Sequence, residues 1–321
     1  MIPSQEDILS RAGTIVPLLE PLEERRKRAF AFIKYTLIFL VVFLATHLSV
    51  IIIFKQPFYY IVISSALAAI VASQMYNRLF TDKALALELK DQLFKSLVPV
   101  MLPLPPMFEP ARHVAFKYFQ DSKLFLHFPS SFGGANAVKG GTLESTFLYS
   151  EIEAYVGDAV GEIAVFDGMF YVFSAFGDYN PPIVIVPNRL QKKLGLIGKQ
   201  IRRHSMFRGT AAKLFDEAFE NEFSVYCENT RYAQQTITED LREQLLDFQA
   251  ATGADIYMSF IGRKIYIGLH NCPPVRFSMR KPCTDLSYID EMAMKFTFPV
   301  RLVSAINQKL IPPKAPPSWD I

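Results

Sequence analysis

Two uncharged apolar runs, Tyr35 to Phe54 and Phe58 to Tyr76, stand back to back with only Lys55-Gln56-Pro57 between them. Each is about as long as the roughly 20 residues that a helix needs to cross a hydrocarbon core, and no comparable run follows. The first contains fourteen Leu, Ile, Val or Phe residues, which together contribute about −4 to −8 kcal/mol on an insertion scale. Even a penalty of about 3 kcal/mol for His47 leaves that sum favourable. The expected structure is a transmembrane helical hairpin with spans at 35–54 and 58–76. The apolar stretch starts beyond residue 30 and continues into a second one without a small-residue cleavage site, so a removable signal peptide is not expected.

Basic residues set the expected orientation. Arg25, Arg26, Lys27, Arg28 and Lys34 precede the first span, Arg78, Lys83 and Lys90 follow the second, and the connection holds Lys55 alone. Because cytoplasmic flanks carry the excess of Lys and Arg, both termini are expected to be cytoplasmic. Small residues recur in the spans, at Ala45 and Ser49 and at Ser65, Ala69 and Ser73. Such spacing lets helix backbones approach closely, either within the hairpin or between copies of the chain. His47 is the one ionisable side chain inside the spans. No carboxylate lies at its depth to form a proton relay, so it is expected neutral and hydrogen-bonded to Ser, Thr or backbone.

Composition excludes little beyond this. The net charge of +3 is too small to argue for nucleic acid. Three scattered cysteines, Cys227, Cys272 and Cys283, without a CxxC spacing, fit a reducing compartment.

The remainder reads as a cytosolic α+β domain with a mainly antiparallel sheet and packed helices. Residues 1–34 form a cytosolic segment that ends in the basic run, its short amphipathic stretch broken by Pro17 and Pro21. Residues 77–110 combine an amphipathic helix, with Leu85, Leu89, Leu93 and Leu97 on one face, and a proline-rich linker that begins at Pro99. The domain itself covers 111–311. Alternation predicts strands at Lys123 to Phe128, Thr142 to Tyr155, Glu162 to Phe166, Met169 to Phe176 and Ile183 to Val186, with Asp167-Gly168 as a hairpin turn. A second strand pair is expected at Ile256 to Phe260 and Lys264 to Leu269 across Gly262-Arg263. Helical periodicity marks Ala211 to Phe219, and also Glu239 to Ala251, with Thr238 as N-cap and Gly253 as stop. Leu286 to Lys309 reads as helix interrupted at Pro299, and 312–321 is a Pro-rich tail. Strands in runs followed by helices favour α+β over alternating βαβ units.

The strings Ser122-Lys123-Leu124-Phe125, Tyr149-Ser150-Glu151, Phe166-Asp167-Gly168-Met169-Phe170, Phe219-Glu220-Asn221-Glu222-Phe223 with Val225-Tyr226, and Ser259-Phe260 followed by Ile265-Tyr266-Ile267 occur in that order. In these strings, and in the order of its elements along nearly the whole chain, the sequence resembles a bacterial membrane protein family catalogued as domain of unknown function 3137. That family usually carries Ala-Arg-Tyr before its second helix, where this chain has Ala233-Gln234-Gln235. The resemblance implies an architecture and no established activity.

Among charged constellations, Arg189, Lys192, Lys193, Lys199, Arg202, Arg203 and Arg208 fall in a segment without a single acid. Together with Arg25, Arg26, Lys27 and Arg28 they are candidates for contact with anionic lipid, since each such charge near an anionic leaflet adds about 1 kcal/mol of attraction. A solvated loop or another acidic partner are the alternatives, and nucleic acid is disfavoured because no aromatic interleaving supports base stacking. His270, Cys272 and Cys283 lack zinc-site spacing, so no metal is expected. Glu151 and Glu153 share a strand face, Glu220 and Glu222 flank a helix end, and Glu239, Asp240 and Glu243 suit a helix start; all read as solvated. Gly133-Gly134 and Gly140-Gly141 bracket an expected flexible loop. P-loop, GxSxG, HExxH and dinucleotide fingerprints are absent from the sequence, so no catalytic residue and no cofactor is assigned.

The sequence therefore points to a membrane-anchored, non-enzymatic binding or adaptor module. Its partners are the lipid bilayer and another protein or a second copy of itself. The alternative is a membrane-bound hydrolase or transferase with an unrecognised cytosolic site, which a pocket lined by ionisable groups with displaced pKa values would favour.

Overall fold

The structure, a computed structural model, describes residues 8, 10, 13, 16–54, 59–80, 83–102, 104–125, 128–142, 145–158, 161–188, 210–273, 281–282 and 284–309. It divides into two compact units, one comprising Arg11–Ser96 and Phe277–Tyr288, the other Met1–Ser10, Leu97–Arg276 and Ile289–Ile321.

The first unit is built on α1 (Val16–Phe54) and α2 (Tyr59–Phe80), which lie against each other. Pro17 and Pro21 do not break the amphipathic start as expected. Pro17 sits in the first turn of α1, where its missing N–H has no helical partner to lose, and the helix continues through Pro21. Among the described residues one helix is long and apolar enough to cross a membrane, α1 over Leu19–Ser49, and its most apolar stretch is unburied. The apolar stretch of α2, Val62–Gln74, is shorter. Along α1 the rings and branched chains of Leu37, Ile38, Phe39, Val41 and Val42 are exposed, and along α2 those of Val62, Ile63, Leu67, Ile70 and Val71. The recessed positions are Thr36, Leu40, Leu44 and His47 on α1 and Ser64, Ala68 and Ala72 on α2. Helix α3 (Lys83–Met101) follows and runs on past Pro99, two residues before its end.

The second unit is a seven-stranded antiparallel sheet with helices on both faces. Its strands are β1 (Met107–Glu109), β2 (Ser131–Gly141), β3 (Thr146–Asp158), β4 (Gly161–Pro187), β5 (Ala211–Ala212), β6 (Phe223–Tyr226) and β7 (Asp255–His270). The order is β1-β2-β3-β4-β6-β5, and β7 pairs with the other edge of β4. The helices are α4 (Phe116–Asp121), α5 (Glu217–Glu222), α6 (Thr230–Thr236), α7 (Glu239–Thr252) and α8 (Leu286–Gln308).

Long β4 organises the sheet. Its first half pairs with β3 through Gly161 to Phe173, its end pairs with β6 through Val184 to Pro187, and β7 accompanies both halves. Both expected hairpin turns are therefore absent. Asp167-Gly168 lies inside β4, with Gly168 opposite Ile152 on one side and His270 on the other. A Cβ at Gly168 would meet the Leu269 carbonyl oxygen at 2.0 Å, so glycine is there for close backbone approach. Gly262, at φ +54°, bends β7 opposite Tyr179 and leaves one continuous strand. The same reasoning corrects the expected glycine loop. Gly133-Gly134 and Gly140-Gly141 belong to β2, where a Cβ at Gly134 would meet the Glu151 carbonyl oxygen at 2.1 Å.

Alternation along β3 feeds two cores. Leu148, Ile152 and Ala154 join Val114, Phe119, Leu124, Phe166 and Phe170 under α4, where the Phe119 and Phe125 rings stack at 4.4 Å. Of the strand expected at Lys123 to Phe128, residues 126–127 lie outside the described residues and Lys123 to Phe125 is not strand: Lys123 takes φ +55°, the Ser122 hydroxyl donates to the Phe119 carbonyl at 2.6 Å, and Ser259 donates to the Ser122 carbonyl at 2.7 Å. The tight turn returns Leu124 and Phe125 to the core. On the opposite face, Phe147, Tyr149 and Tyr171 pack on Phe296 of α8. Helix α7 has the expected ends, with the Thr238 hydroxyl accepting from the Leu241 amide at 3.4 Å and Gly253 at φ +68°. The helix expected at Ala211 to Phe219 instead begins at Glu217, because Asp216 caps it and Ala211–Ala212 is taken by the sheet. Pro299 leaves α8 uninterrupted.

Candidate functional site

The sheet unit holds an open groove of about 380 Å³, in the size range of small-molecule and peptide sites. Its floor comes from the bend in β4. Pairing with β7 shifts between Ser174 and Tyr179 and again before Ile183, which brings Asp178 and Tyr179 to the groove. The backbone groups that the bend takes from the ladder are recovered by α8, whose Asn307 accepts from the Phe176 amide and donates to the Ser174 carbonyl, both at 3.2 Å. One wall is α6, which starts at Asn229, whose side chain accepts from the Tyr232 amide at 3.0 Å, and supplies Tyr232. The first turn of α7 brings Asp240, and Lys309 after α8 closes the rim with a 2.9 Å ion pair to Asp240.

The electrostatics favour recognition over proton transfer. Burial pushes the Tyr179 hydroxyl up to about 12, with the nearby Tyr232 adding to the effect. Burial also raises Tyr232. The hydrogen bond from Lys309, helped by Gln244, holds Asp240 below the usual carboxylate range. All three shifts run away from neutrality, so the tyrosines stay protonated and Asp240 ionised, and none is poised to exchange a proton at physiological pH. Asp178 is exposed and has no ion-pair partner among the described residues.

The residues singled out in the sequence fall elsewhere. Arg189, Lys192, Lys193, Lys199, Arg202, Arg203 and Arg208 lie outside the described residues. Of the other basic run, Arg25 pairs with Glu88 at 2.7 Å, Arg28 with Glu24 at 3.3 Å, and Arg26 is buried in a two-point contact with Glu23 at 2.6 and 2.8 Å. Lys27 is exposed and has no ion-pair partner among the described residues. Three of these four side chains are thus engaged inside their own unit. The small residues Ala45, Ser49, Ser65, Ala69 and Ser73 are exposed, whereas Ser64, Ala68 and Ala72 are recessed. His47 stacks on Phe43 at 5.5 Å, and the Thr46 and Ser49 hydroxyls donate to the carbonyls of Val42 and Ala45 in their own helix.

Glu151 accepts from the Asn136 amide group at 2.8 Å and Glu153 is exposed. His270 accepts from the Asp167 amide through Nδ1 at 3.0 Å, and Cys272 is buried. Cys283 lies outside the described residues, among which no three His, Cys, Asp or Glu side chains converge as metal ligands. Glu239 and Asp240 occupy the first turn of α7 as expected. The groove itself was missed because the Asp178-Tyr179 pair and Tyr232 are distant in sequence and follow no motif spacing. The proline pair Pro181-Pro182 was the available sign that β4 must bend.

An antiparallel α+β unit joined in one chain to a long, lipid-compatible helix defines the class of this protein. Residues 164–308, from β4 to α8, match the model of a family described as Protein of unknown function (DUF3137), and the chain resembles that family over this stretch. The Ser122 to Phe125 and Tyr149 to Glu151 strings lie outside the match. No curated protein matches the chain. A structure comparison finds the crystal structure of the mycobacterial trehalose monomycolate transport factor A, TtfA, at 9% identity and a TM-score of 0.33, covering 65% of this chain and 91% of that one. At that score the overlay carries nothing over to this protein.

Proposed function

We propose that the chain is a membrane-anchored binding module: α1 and α2 form a helical hairpin in a bacterial inner membrane, both termini are cytoplasmic, and the α+β domain recognises another protein from the cytosolic side. The observation that carries this reading is the continuous exposure of Leu37, Ile38, Phe39, Val41 and Val42 on α1 and of Val62, Ile63, Leu67, Ile70 and Val71 on α2. Exposed apolar surface on this scale is far larger than the patches soluble monomers tolerate, and lipid satisfies it. The flanking charges, abundant outside the runs and reduced to Lys55 between them, support the orientation. A short apolar stretch in α2 is accommodated by local thinning of the bilayer at a cost of fractions of a kcal/mol per Å.

The groove is the proposed partner site. With Asp178 and Asp240 against Lys309, and with Tyr179 and Tyr232 alongside, it suits a segment that presents a Lys or Arg next to apolar groups. A cation there gains from the exposed Asp178 carboxylate, which has no ion-pair partner among the described residues, and from an aromatic face. The test is a photo-crosslinking residue at Gln235, on the groove rim, in the full chain in native membranes. The expected result is a discrete adduct with a second protein that Asp178→Lys abolishes. Adducts with copies of the chain alone would contradict the adaptor reading.

A further inference from the structure

Helix α8 presents Leu302, Ala305, Ile306 and Lys309 to the groove, at the i, i+3, i+4 and i+7 spacing of a single helix face. Leu302 is buried, but Ala305 and Ile306 are half-buried, so the apolar stripe lies open toward the end of the helix. Tyr232 of α6, also half-buried, lines the same space. The charges of the lining do not balance. Asp178 and Asp240 supply two carboxylates against the one ammonium of Lys309, which already pairs with Asp240 at 2.9 Å. An open apolar stripe, a tyrosine and an excess negative charge suit a segment that combines proline rings with a cation.

Such a segment is attached at the rim itself. Lys309 borders the groove and is the last of the described residues, and the sequence continues from it as Leu310-Ile311-Pro312-Pro313-Lys314-Ala315-Pro316-Pro317. Consecutive prolines favour a polyproline II course over further helix. With three residues per turn in that conformation, Pro313 and Pro316 share a face and Lys314 projects beside them. Lys314 is the one cation between 310 and 321, and the one acid, Asp320, falls beyond the prolines. The five steps from Lys309 to Lys314 reach about 15 Å in polyproline II, enough to cross a groove that Lys309 already borders.

We infer that residues 310–317 dock back into this groove, with the Pro313 and Pro316 rings on Tyr232 and the α8 stripe and the Lys314 ammonium on Asp178, so that the chain carries its own competitor for the partner site. A proline-rich segment is already extended and loses little conformational entropy when it docks on an aromatic-lined groove. Attachment decides for this segment over another of like chemistry, because a short tether holds it at an effective concentration in the millimolar range. A weak contact then suffices to fill the groove. A partner that presents the same chemistry must displace the tail, which makes engagement of the groove a competition.

This inference rests on the reading of the groove as a partner site, and the test separates the two. A photo-crosslinking residue is placed at Gln235 in the full chain, and adducts are mapped by mass spectrometry in the purified, detergent-solubilised chain and in native membranes. In the purified chain the expected adduct joins position 235 to residues 310–321 of the same chain. Lys314→Glu and Asp178→Lys should each cut its yield by about fivefold, the upper end for an exposed ion pair, and the two together, which exchange the charges, should restore it. In membranes, Lys314→Glu should raise the second-protein adduct by about twofold or more as the competitor is withdrawn. Second-protein adducts without any tail adduct overturn this inference alone. A tail adduct that joins an isotopically heavy chain to a light one assigns the occupant to a second copy and overturns docking within the chain. A tail adduct unaffected by either charge change overturns the contact between Lys314 and Asp178. A tail adduct with no second-protein adduct, even in Lys314→Glu, upholds the docking and overturns the partner reading beneath it, and the absence of both adducts overturns both.

Discussion

Asn307 stitches the bend of β4: its side-chain oxygen accepts from the Phe176 amide and its nitrogen donates to the Ser174 carbonyl, each at 3.2 Å, and the residue is fully buried. A change to Leu removes the partner of the Phe176 amide, at about 1–3 kcal/mol, while the Ser174 carbonyl keeps the Ser145 hydroxyl at 3.0 Å. Asn307→Leu is therefore expected to lower the thermal midpoint of the detergent-solubilised chain by several degrees and to weaken crosslinking at the groove. An unchanged midpoint would mean that the bend does not depend on this residue.

Much of this arrangement was legible in the sequence, and the failures share one cause. The apolar runs, the antiparallel alternation, and the Thr238 cap with its Gly253 stop follow from local chemistry, and local chemistry sufficed. Gly168 and Gly134 were misread because glycine serves two purposes. It permits positive φ in a turn, and it also removes a Cβ where another backbone approaches. Only the partner strand distinguishes the two, and the Leu269 carbonyl that excludes a Cβ at Gly168 lies about a hundred residues away. Pro99 and Pro299 were overread as breaks for a similar reason, since packing against the rest of the fold offsets a lost helical hydrogen bond. The groove was invisible because three helices and a strand assemble it.

The glycine argument makes a paired prediction. Gly168→Ala places a methyl group on the Leu269 carbonyl oxygen, whereas a Cβ at Gly133 meets nothing within 4 Å. Gly168→Ala should cost about 1–3 kcal/mol or more through overpacking, and Gly133→Ala should be near neutral. Comparing their thermal midpoints with that of the parent checks both.

Asp216 carries a pH dependence. Its folded pKa is held low, chiefly by the hydrogen bond from the Phe219 amide and then by Arg242. A carboxyl whose folded pKa is depressed stabilises fully above its unfolded value, about 3.9, and loses that contribution as pH falls through the folded value. Asp216→Asn keeps a capping oxygen and removes the charge. The stability gap between parent and variant should therefore be largest near neutrality and close as the pH is taken below about 4. A gap that widens on acidification would contradict the assignment.

The register of α2 is testable by a one-residue contrast. Ala68 is buried and Ala69 exposed, so Ala68→Leu should separate α1 from α2 and destabilise by about 1–3 kcal/mol, while Ala69→Leu is tolerated. Measurement of thermal aggregation for the two variants in the same detergent decides it, and equal effects would remove the distinction.

The central claim is that α1 and α2 hold the α+β domain on the cytosolic face of a membrane. It is tested most directly by placing a cysteine at Gln235 in the full chain and labelling it with a membrane-impermeant maleimide, in intact bacterial cells and in inverted membrane vesicles. Labelling confined to the inverted vesicles is the predicted result. Labelling of Cys at 235 in intact cells would contradict it.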